Sequence, residues 1–572
     1  MPGERPKVLI LGGGYAAIYA CKALAPAIEA GRLEATVVSR ENFHVFHGFV
    51  GEMLTGRVSP SHILSPARRI FPPASVHVAE IQKIDLKNKT IITSRNLDGA
   101  RFELDYDHVI ICLGSVDRFE AYPGLAEHAF RLKTYEDVLR LRNHIITMFE
   151  LADIEKDPEE RKRLLTFFVA GGGYAGTEVA GELADLARRL TKREYKRIKP
   201  DEPRVVLVHP GPTILPELFG EDGSGAGAHP KLVEFGMNRM RELGVEVRTE
   251  TRVAAASPNE VSLSNGERVP TRTIISAVGT KPPPVVERLN VPKDERGRIE
   301  TDAVIRVEGY EDVWACGDSA AVRLPNSFGM DTGSTCPPVA LYAMKQGYRI
   351  GKNIDRVIQR RRPKPFRFPG LGQGASVGKR SAVCELKGIE ITGFPAWLIW
   401  RLLLTYYFPS WDRRLRLMTD WLIWPLVGRD IVELRTAPPG EYEVRHNVFQ
   451  PGEIVAQEER TGKYIHVIVD GEVEILNKDG DFEQVLDVLG PGDHFGTRWM
   501  SSFDLEVARA KTQVRTVAMR RDQAPRLQEV LRSAGQLVAE SGHFPAITDL
   551  SRAKSQASEN RGVQGRRERG LR

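Results

Sequence analysis

No apolar run in this 572-residue chain approaches the roughly 18 residues that a membrane-spanning helix needs. Its most hydrophobic stretch, FPAWLIWRLLLTYYFPSWDRRLRLMTDWLIWPLV (Phe394 to Val427), is interrupted by Arg401, Asp412 and Asp420. Cysteine is scarce and scattered: Cys21, Cys112, Cys316, Cys336 and Cys384 form no C-x-x-C. A disulfide scaffold, a zinc cluster and a dithiol redox motif therefore lose their basis, no metal site is expected, and Cys336 reads as a small buried hydrophobe. No leader segment is recognisable, since VLIL at Val8 runs straight into a glycine turn, and a cytoplasmic protein is expected. Nor is there a basic body. The formal net charge is +6, but Ser551 to Arg572 carries seven Arg or Lys against two Glu, so the rest is almost neutral. No nucleic-acid partner is expected, and the tail, with little apolar to bury, reads as disordered over 546–572.

What the chain does have, it has twice. VLILGGGYAAIYACKAL (Val8 to Leu24) and FFVAGGGYAGTEVAGELA (Phe167 to Ala184) each pass from an apolar run through three glycines into an Ala-rich stretch. Both have the grammar of strand, tight turn and helix. Gly12, Gly14 and Ala17 satisfy G-x-G-x-x-G/A in the first copy, and Gly171, Gly173 and Gly176 in the second. Such a turn brings the backbone close to a pyrophosphate, which the N–H groups and partial positive charge of the helix N-terminus then hold. Two copies predict two dinucleotides. The echo continues in DYDHVIICLGS, ending at Gly114 and Ser115, and VPTRTIISAVGTKP, with Gly279 at its turn; each closes the domain that its GGGYA opened.

GYEDVWACGDSAAV then delivers Gly317 and Asp318 to a turn, and here the chain resembles the two-dinucleotide flavoproteins, in which such an Asp binds the ribityl and phosphate portion of the flavin. Within that superfamily it most resembles the type II NADH dehydrogenases, from about Lys7 to Arg435. The segments that carry the likeness are RENFHVFHGFVGEMLTG, LKTYEDVLRLRNHI, GPTILPEL, PFRFPGLGQGASVGKRSAV and GFPAWLIW. The resemblance implies FAD in the first copy, NADH or NADPH as substrate in the second, and a membrane quinone as electron acceptor. It places Val339 and Ala340 beside the flavin, at the start of a helix. Glu178 matches a carboxylate near the stacked rings, expected to orient nicotinamide or relay a proton, whereas Glu182 one turn on reads as structural.

Several positions depart from the pattern. An acidic residue usually ends the second strand of each unit and grips the adenine ribose. The first unit has Ser39 and Arg40 there, the second His209, so no strong preference for NADH over NADPH is expected. CPPVALYAMKQGYRIG resembles the family's P-P-x-A-Q-x-A-x-Q-x-G, but the two quinone-contacting glutamines fall on Leu341 and Lys345. Lys345 is thereby a catalytic candidate beside Glu178, and Leu341, Lys345 and Lys379 form the expected quinone set.

Phe394 to Val427 holds five of the seven tryptophans. It reads as two amphipathic helices on a membrane surface, Trp and Tyr at headgroup level and arginines toward phosphate; a homodimer interface or an interdomain seam is the alternative, and the family resemblance favours the membrane. From Val444, apolar and polar residues alternate between Asp-Gly and Pro-Gly turns, the pattern of short antiparallel strands. This part resembles the β-roll of cyclic-nucleotide-binding domains. That family's ribose-binding Glu is replaced by Thr497, while Arg509 and Thr512 remain from its phosphate motif, so a degenerate roll used for packing or assembly is expected.

The expected architecture is α/β: two Rossmann-like dinucleotide-binding domains, then amphipathic membrane-surface helices and a C-terminal all-β jelly roll of cyclic-nucleotide-binding type. Its expected limits are 1–125 with 301–378 for FAD, 126–300 for NAD(P)H, 379–435 for the interfacial helices, 436–545 for the roll and 546–572 for the tail. The expected function is NAD(P)H:quinone oxidoreduction by a peripheral protein on the inner face of the cell membrane. A redox-sensing flavoprotein of low turnover, signalling through the roll, fits the same residues.

Overall fold

Apolar runs of four to six residues that end in glycine become inner strands of parallel sheets, because helices cover both faces and leave no polar side. In the computed structural model, which describes residues 5–95, 99–218, 229–326, 330–434, 445–457, 464–479, 482–495 and 505–520, two such sheets form. The first runs Val313–Ala315, His108–Ile111, Lys7–Leu11, Glu34–Ser39, Ser75–Val78, all parallel. The second has Thr273–Ser276, Thr166–Ala170, Arg204–Val208 and Val245–Arg248 in the same relative order. In each, the strand that leads into GGGYA is central, and its glycine turn lies at the carboxyl end of the sheet. The duplication in the sequence is thus a duplication of topology.

The first sheet is completed from distant parts of the chain. Helix Tyr15–Glu29, after the first turn, packs on helix Ala340–Ile358. A Cβ at Gly347 would stand 2.0 Å from Ala16 O, and one at Gly351 2.6 Å from Ala20 O. Only glycine lets these two backbones touch.

The chain forms two compact units. One comprises the residues up to Phe119, Phe130–Arg252 and Thr273–Leu434; the other gathers Glu120–Ala129, Val253–Arg272 and the described residues after Leu434. The expected 126–300 domain is therefore divided. Its antiparallel meander of Val253–Ala256, Glu260–Leu263 and Arg268–Pro270 belongs with the roll. Polar contacts explain why. Ser257 Oγ and Asn259 Nδ2 donate to the buried Glu453 carboxylate, and the Val448 N–H donates to His128 Nε2 at 2.8 Å.

The roll is two antiparallel sheets, as the alternation predicts. One has Arg445–Phe449, Val514–Arg520, Tyr464–Asp470 and His494–Phe495; the other Ile454–Gln457, Leu505–Ala510, Val473–Asp479 and Phe482–Leu489. Phe449, Ile468, Val473, Ala508 and Val514 fill the space between them. Thr497 and the basic tail lie outside the described residues.

The two expected interfacial helices are Gly393–Tyr407 and Trp411–Val427, and no helix among the described residues is long and apolar enough to cross a membrane. Phe394, Leu398, Leu402 and Tyr406 stand exposed at every fourth position, and Trp411, Leu415, Leu422 and Leu426 continue the exposed apolar face. The arrangement of charge and indole differs from expectation. Arg401 is buried, paired with Glu52 and sandwiched between the rings of Trp397 and Trp421, each centroid 4.3 Å away. Asp420 meets His62 at 2.7 Å, and Arg413 donates to Ser61 O at 3.1 Å. The charges that interrupt the apolar run thus point into the protein, because buried carboxylates and carbonyls there need partners. Of the five tryptophans only Trp411 is exposed, the other four being half-buried.

Candidate functional site

At the first turn Gly12 has φ +118°, and a Cβ there would lie 2.4 Å from Cys112 O. Gly14, by contrast, has nothing within 4 Å of its missing Cβ among the described residues, and neither has Gly114 at φ +69°. Between them is a cradle that admits a ligand against bare backbone. Ala17 is buried in the helix that follows. Ser39 ends its strand with Oγ donating to Glu41 O at 2.9 Å, packed against Gly13, and Arg40 pairs with Glu41 at 3.2 Å. The opposite rim is built by Gly317 and Asp318. Asp318 accepts from Ser115 Oγ at 2.9 Å, and Ser115 in turn accepts from Lys133 Nζ at 3.1 Å. Gly317 N–H donates to the buried Gln346 side chain at 2.9 Å. Val339 is the N-cap of Ala340–Ile358 and brings no capping side chain, so the first N–H groups of a nineteen-residue helix are left without a side-chain acceptor from it. These features fit a dinucleotide with a second polar end.

The second turn repeats the geometry. Gly171 has φ +108° with Ala277 O 2.2 Å from a would-be Cβ, Gly176 touches Gly171 O, and Gly279 faces open space. His209 ends its strand and accepts the Gly172 N–H at Nδ1, 3.2 Å, while burial lowers its pKa. By accepting this bond the ring staples the turn.

Glu178, on the helix Tyr174–Arg193, accepts the Ser376 N–H at 2.9 Å. Burial pushes its carboxyl up to about 8; the nearby charges of Glu182, Glu52 and Glu217 push the same way, against the Ser376 bond. A small cavity joins it to the helix Gly393–Tyr407, lined by Gly48, Phe49, Glu52, Ser376, Trp397, Trp400, Arg401 and Leu404 as well as Glu178 and Glu182. Glu182 is tied to Arg57 at 2.8 Å with both side chains buried, which agrees with a structural role.

Of the expected quinone residues, Leu341 and Lys345 lie half-buried on one face of their helix, Lys345 Nζ 5.6 Å above the Phe368 ring, and neither lines the cavity. Lys379 does not join it either and is exposed at the tip of the turn between Gly372–Ser376 and Ala382–Leu386. The reason is Gly378, whose φ of +90° and contact with Leu243 and Gly181 turn the tip outward; Ser376, three residues earlier, faces Glu178 instead. The sequence reading missed Ser376, Glu52, Lys133 and Gln346. Glu52 carried the one available signal, a lone carboxylate inside the apolar GFVGEMLTG.

Comparison with known proteins agrees with this geometry. The pyridine nucleotide-disulphide oxidoreductase family matches residues 6–347, the NDH2 C-terminal domain residues 371–430, and the cyclic nucleotide-binding domain residues 446–530. The chain is 27% identical over 436 residues to the type II NADH:quinone oxidoreductase Ndh of Mycobacterium tuberculosis, covering 74% of this chain and 88% of that one. It is 28% identical to the demethylphylloquinone reductase NdbB of Synechocystis, covering 74% of this chain and 98% of that one. The structure of NDH2 from Plasmodium falciparum in complex with NADH superposes with a TM-score of 0.67 at 18% identity, over 75% of this chain and all of that one. With a match that spans more than half of its length, the chain belongs to the pyridine nucleotide-disulphide oxidoreductase family and carries the NDH2 C-terminal domain behind it.

Proposed function

We propose that the chain is an FAD-dependent oxidoreductase that oxidises NADH, with NADPH as an alternative donor, and reduces a membrane quinone at the inner face of the cell membrane. The observation that carries this reading is the pair of dinucleotide-type glycine turns with a buried Glu178 beside a small cavity that reaches Trp397, Trp400 and Leu404 of the helix Gly393–Tyr407. FAD, held at the first turn, would supply the two-electron chemistry that takes hydride from nicotinamide and passes electrons on. The residues divide the remaining work. Gly12, Gly14, Ala17, Gly114, Gly317, Asp318 and the helix start at Val339 and Ala340 hold the first dinucleotide, with Ser39 and Arg40 at its ribose. Gly171, Gly173, Gly176, Gly279 and His209 hold the second.

Glu178 keeps its proton at neutral pH, since burial raises its pKa, and is thereby a donor to a quinone oxygen as charge develops there. Glu52 and Arg401 neutralise each other in the wall of the same cavity, beside Trp397, Trp400 and Leu404.

The test begins with the purified protein. It should retain a single noncovalent FAD per chain that anaerobic NADH bleaches and soluble quinone restores; a folded protein that holds no flavin and cannot be reconstituted refutes the reading. Leu402→Glu with Leu422→Glu should release the protein from anionic vesicles while leaving the flavin bound, and unchanged sedimentation would refute the membrane part. A regulatory flavoprotein is the second reading, supported by the packing of the roll on a meander inserted in the nucleotide-binding half. Negligible steady-state turnover with every quinone tested would favour it.

A further inference from the structure

The two glycine turns differ at one point. Beside Gly14, the N-cap of the first helix, there is open space; beside Gly173, the N-cap of the second, Glu217 Oε1 stands 2.6 Å from where a Cβ would be. The same oxygen accepts the N–H of Tyr174 at 3.0 Å, the first residue of a twenty-residue helix. Glycine offers no capping side chain, so the leading N–H groups lack an internal acceptor, and a carboxylate from another loop supplies one. Its placement is fixed by the loop. Leu215 N–H donates to Gly172 O at 2.7 Å, and Ile214, Leu215 and Leu218 are buried, while Pro216 and Glu217 are exposed. The backbone is anchored on the glycine turn, and the Glu217 carboxylate is held at the helix start by the bond from Tyr174 N–H.

The geometry points to Glu217 as an internal anion that occupies the phosphate seat of the second turn and must leave it when a pyridine nucleotide arrives. This rests on the reading of the second turn as the NAD(P)H site. A pyrophosphate needs the N–H groups at the helix start, and the carboxylate holds one of them. Two anions in contact repel, so binding includes the cost of moving Glu217 away. A rotation of its side chain is enough, because the anchored backbone need not shift. The charge faces the pyrophosphate, which NADH and NADPH share, so Glu217 weakens both equally and leaves the choice between them to the ribose end. In the empty enzyme it caps the helix and screens the seat from stray phosphate.

The experiment compares full-length, FAD-loaded wild type with Glu217→Gln and Glu217→Ala by calorimetric titration with ADP-ribose, a redox-inert probe that carries the pyrophosphate. Both variants should bind about three- to tenfold more tightly, the range expected for one charge at a helix N-terminus, and the KM values for NADH and NADPH should fall by a common factor. Unchanged or weaker binding in both variants would overturn the inference, as would a change confined to NADPH, which would assign Glu217 to the 2'-phosphate. No ADP-ribose binding by any of the three proteins would overturn the nucleotide assignment of the turn and this inference with it.

Discussion

Arg57 and Glu182 meet through Nη1 and Oε1 at 2.8 Å with both side chains almost wholly withdrawn from solvent. Asp185 extends the pair by accepting from both Arg57 and Arg429, and the ring of Trp424 lies over Arg57 at 5.3 Å. Arg57 follows the short helix Val50–Leu54, Glu182 belongs to the helix of the second turn, and Arg429 follows the helix Trp411–Val427. Removing one member of a buried pair leaves the other charge uncompensated, at a cost of about 3–5 kcal/mol. Arg57→Met should therefore lower the melting temperature of the FAD-loaded protein markedly, and Arg57→Met with Glu182→Met should recover most of the loss. A single variant as stable as wild type would mean that water reaches Glu182.

Glu178 predicts a pH profile. Its ordinary carboxyl value is raised to about 8, so the folded state favours the proton. Its contribution to stability is complete below the ordinary value and is lost as pH rises to about 8. On the proposed function the quinone half-reaction should slow above that pH as the donor ionises. Glu178→Gln should abolish this limb and slow the step by about a hundredfold. Stopped-flow reoxidation by a soluble quinone, followed across pH, measures both; a Gln variant with the wild-type profile would assign the titration elsewhere.

Leu341 and Lys345 stand where the resemblance puts two glutamines. On the proposed function Leu341 would offer quinone an apolar wall without a hydrogen bond; the Lys345 ammonium rests over Phe368. Leu341→Gln with Lys345→Gln should speed reoxidation by quinone several-fold and leave reduction by NADH unchanged. No gain in the double variant would indicate that the acceptor step is limited at the Glu178 cavity instead.

Arg509, the residue left from a cyclic-phosphate motif, already donates to Glu483 at 2.8 Å and to Glu474 at 3.0 Å. A phosphate must displace two carboxylates to reach it. Calorimetry with cAMP and cGMP should therefore give weak binding; a Kd near 1 μM, roughly −8 kcal/mol, would show that the roll retains its ligand.

The parts of this fold that were legible are those whose cause is local. A glycine that must adopt positive φ, such as Gly12 or Gly171, announces its turn, and an apolar run before it announces a buried strand. The amphipathic helices were legible for the same reason, through their spacing. The direction of Arg401 was not, because its partner Glu52 lies 349 positions away. Lys379 could be placed only from the contact of Gly378 with a different helix, and the carboxylate of Glu217 beside Gly173 only from a loop fold. The division of the nucleotide domain depended on Ser257 and Asn259 meeting Glu453, which no periodicity records.

The bare-backbone seam between Tyr15–Glu29 and Ala340–Ile358 sets an order of events during synthesis. The first glycine turn leaves the ribosome early, but the helix that seals it is made more than three hundred residues later, roughly half a minute at typical elongation rates. Throughout that interval the backbone at Ala16 and Ala20 has no Gly347 or Gly351 to cover it. The strands Thr166–Ala170, Arg204–Val208, Val245–Arg248 and Thr273–Ser276 are meanwhile complete and can pair. The first glycine turn thus stays without its sealing helix on the nascent chain until most of the polypeptide has emerged.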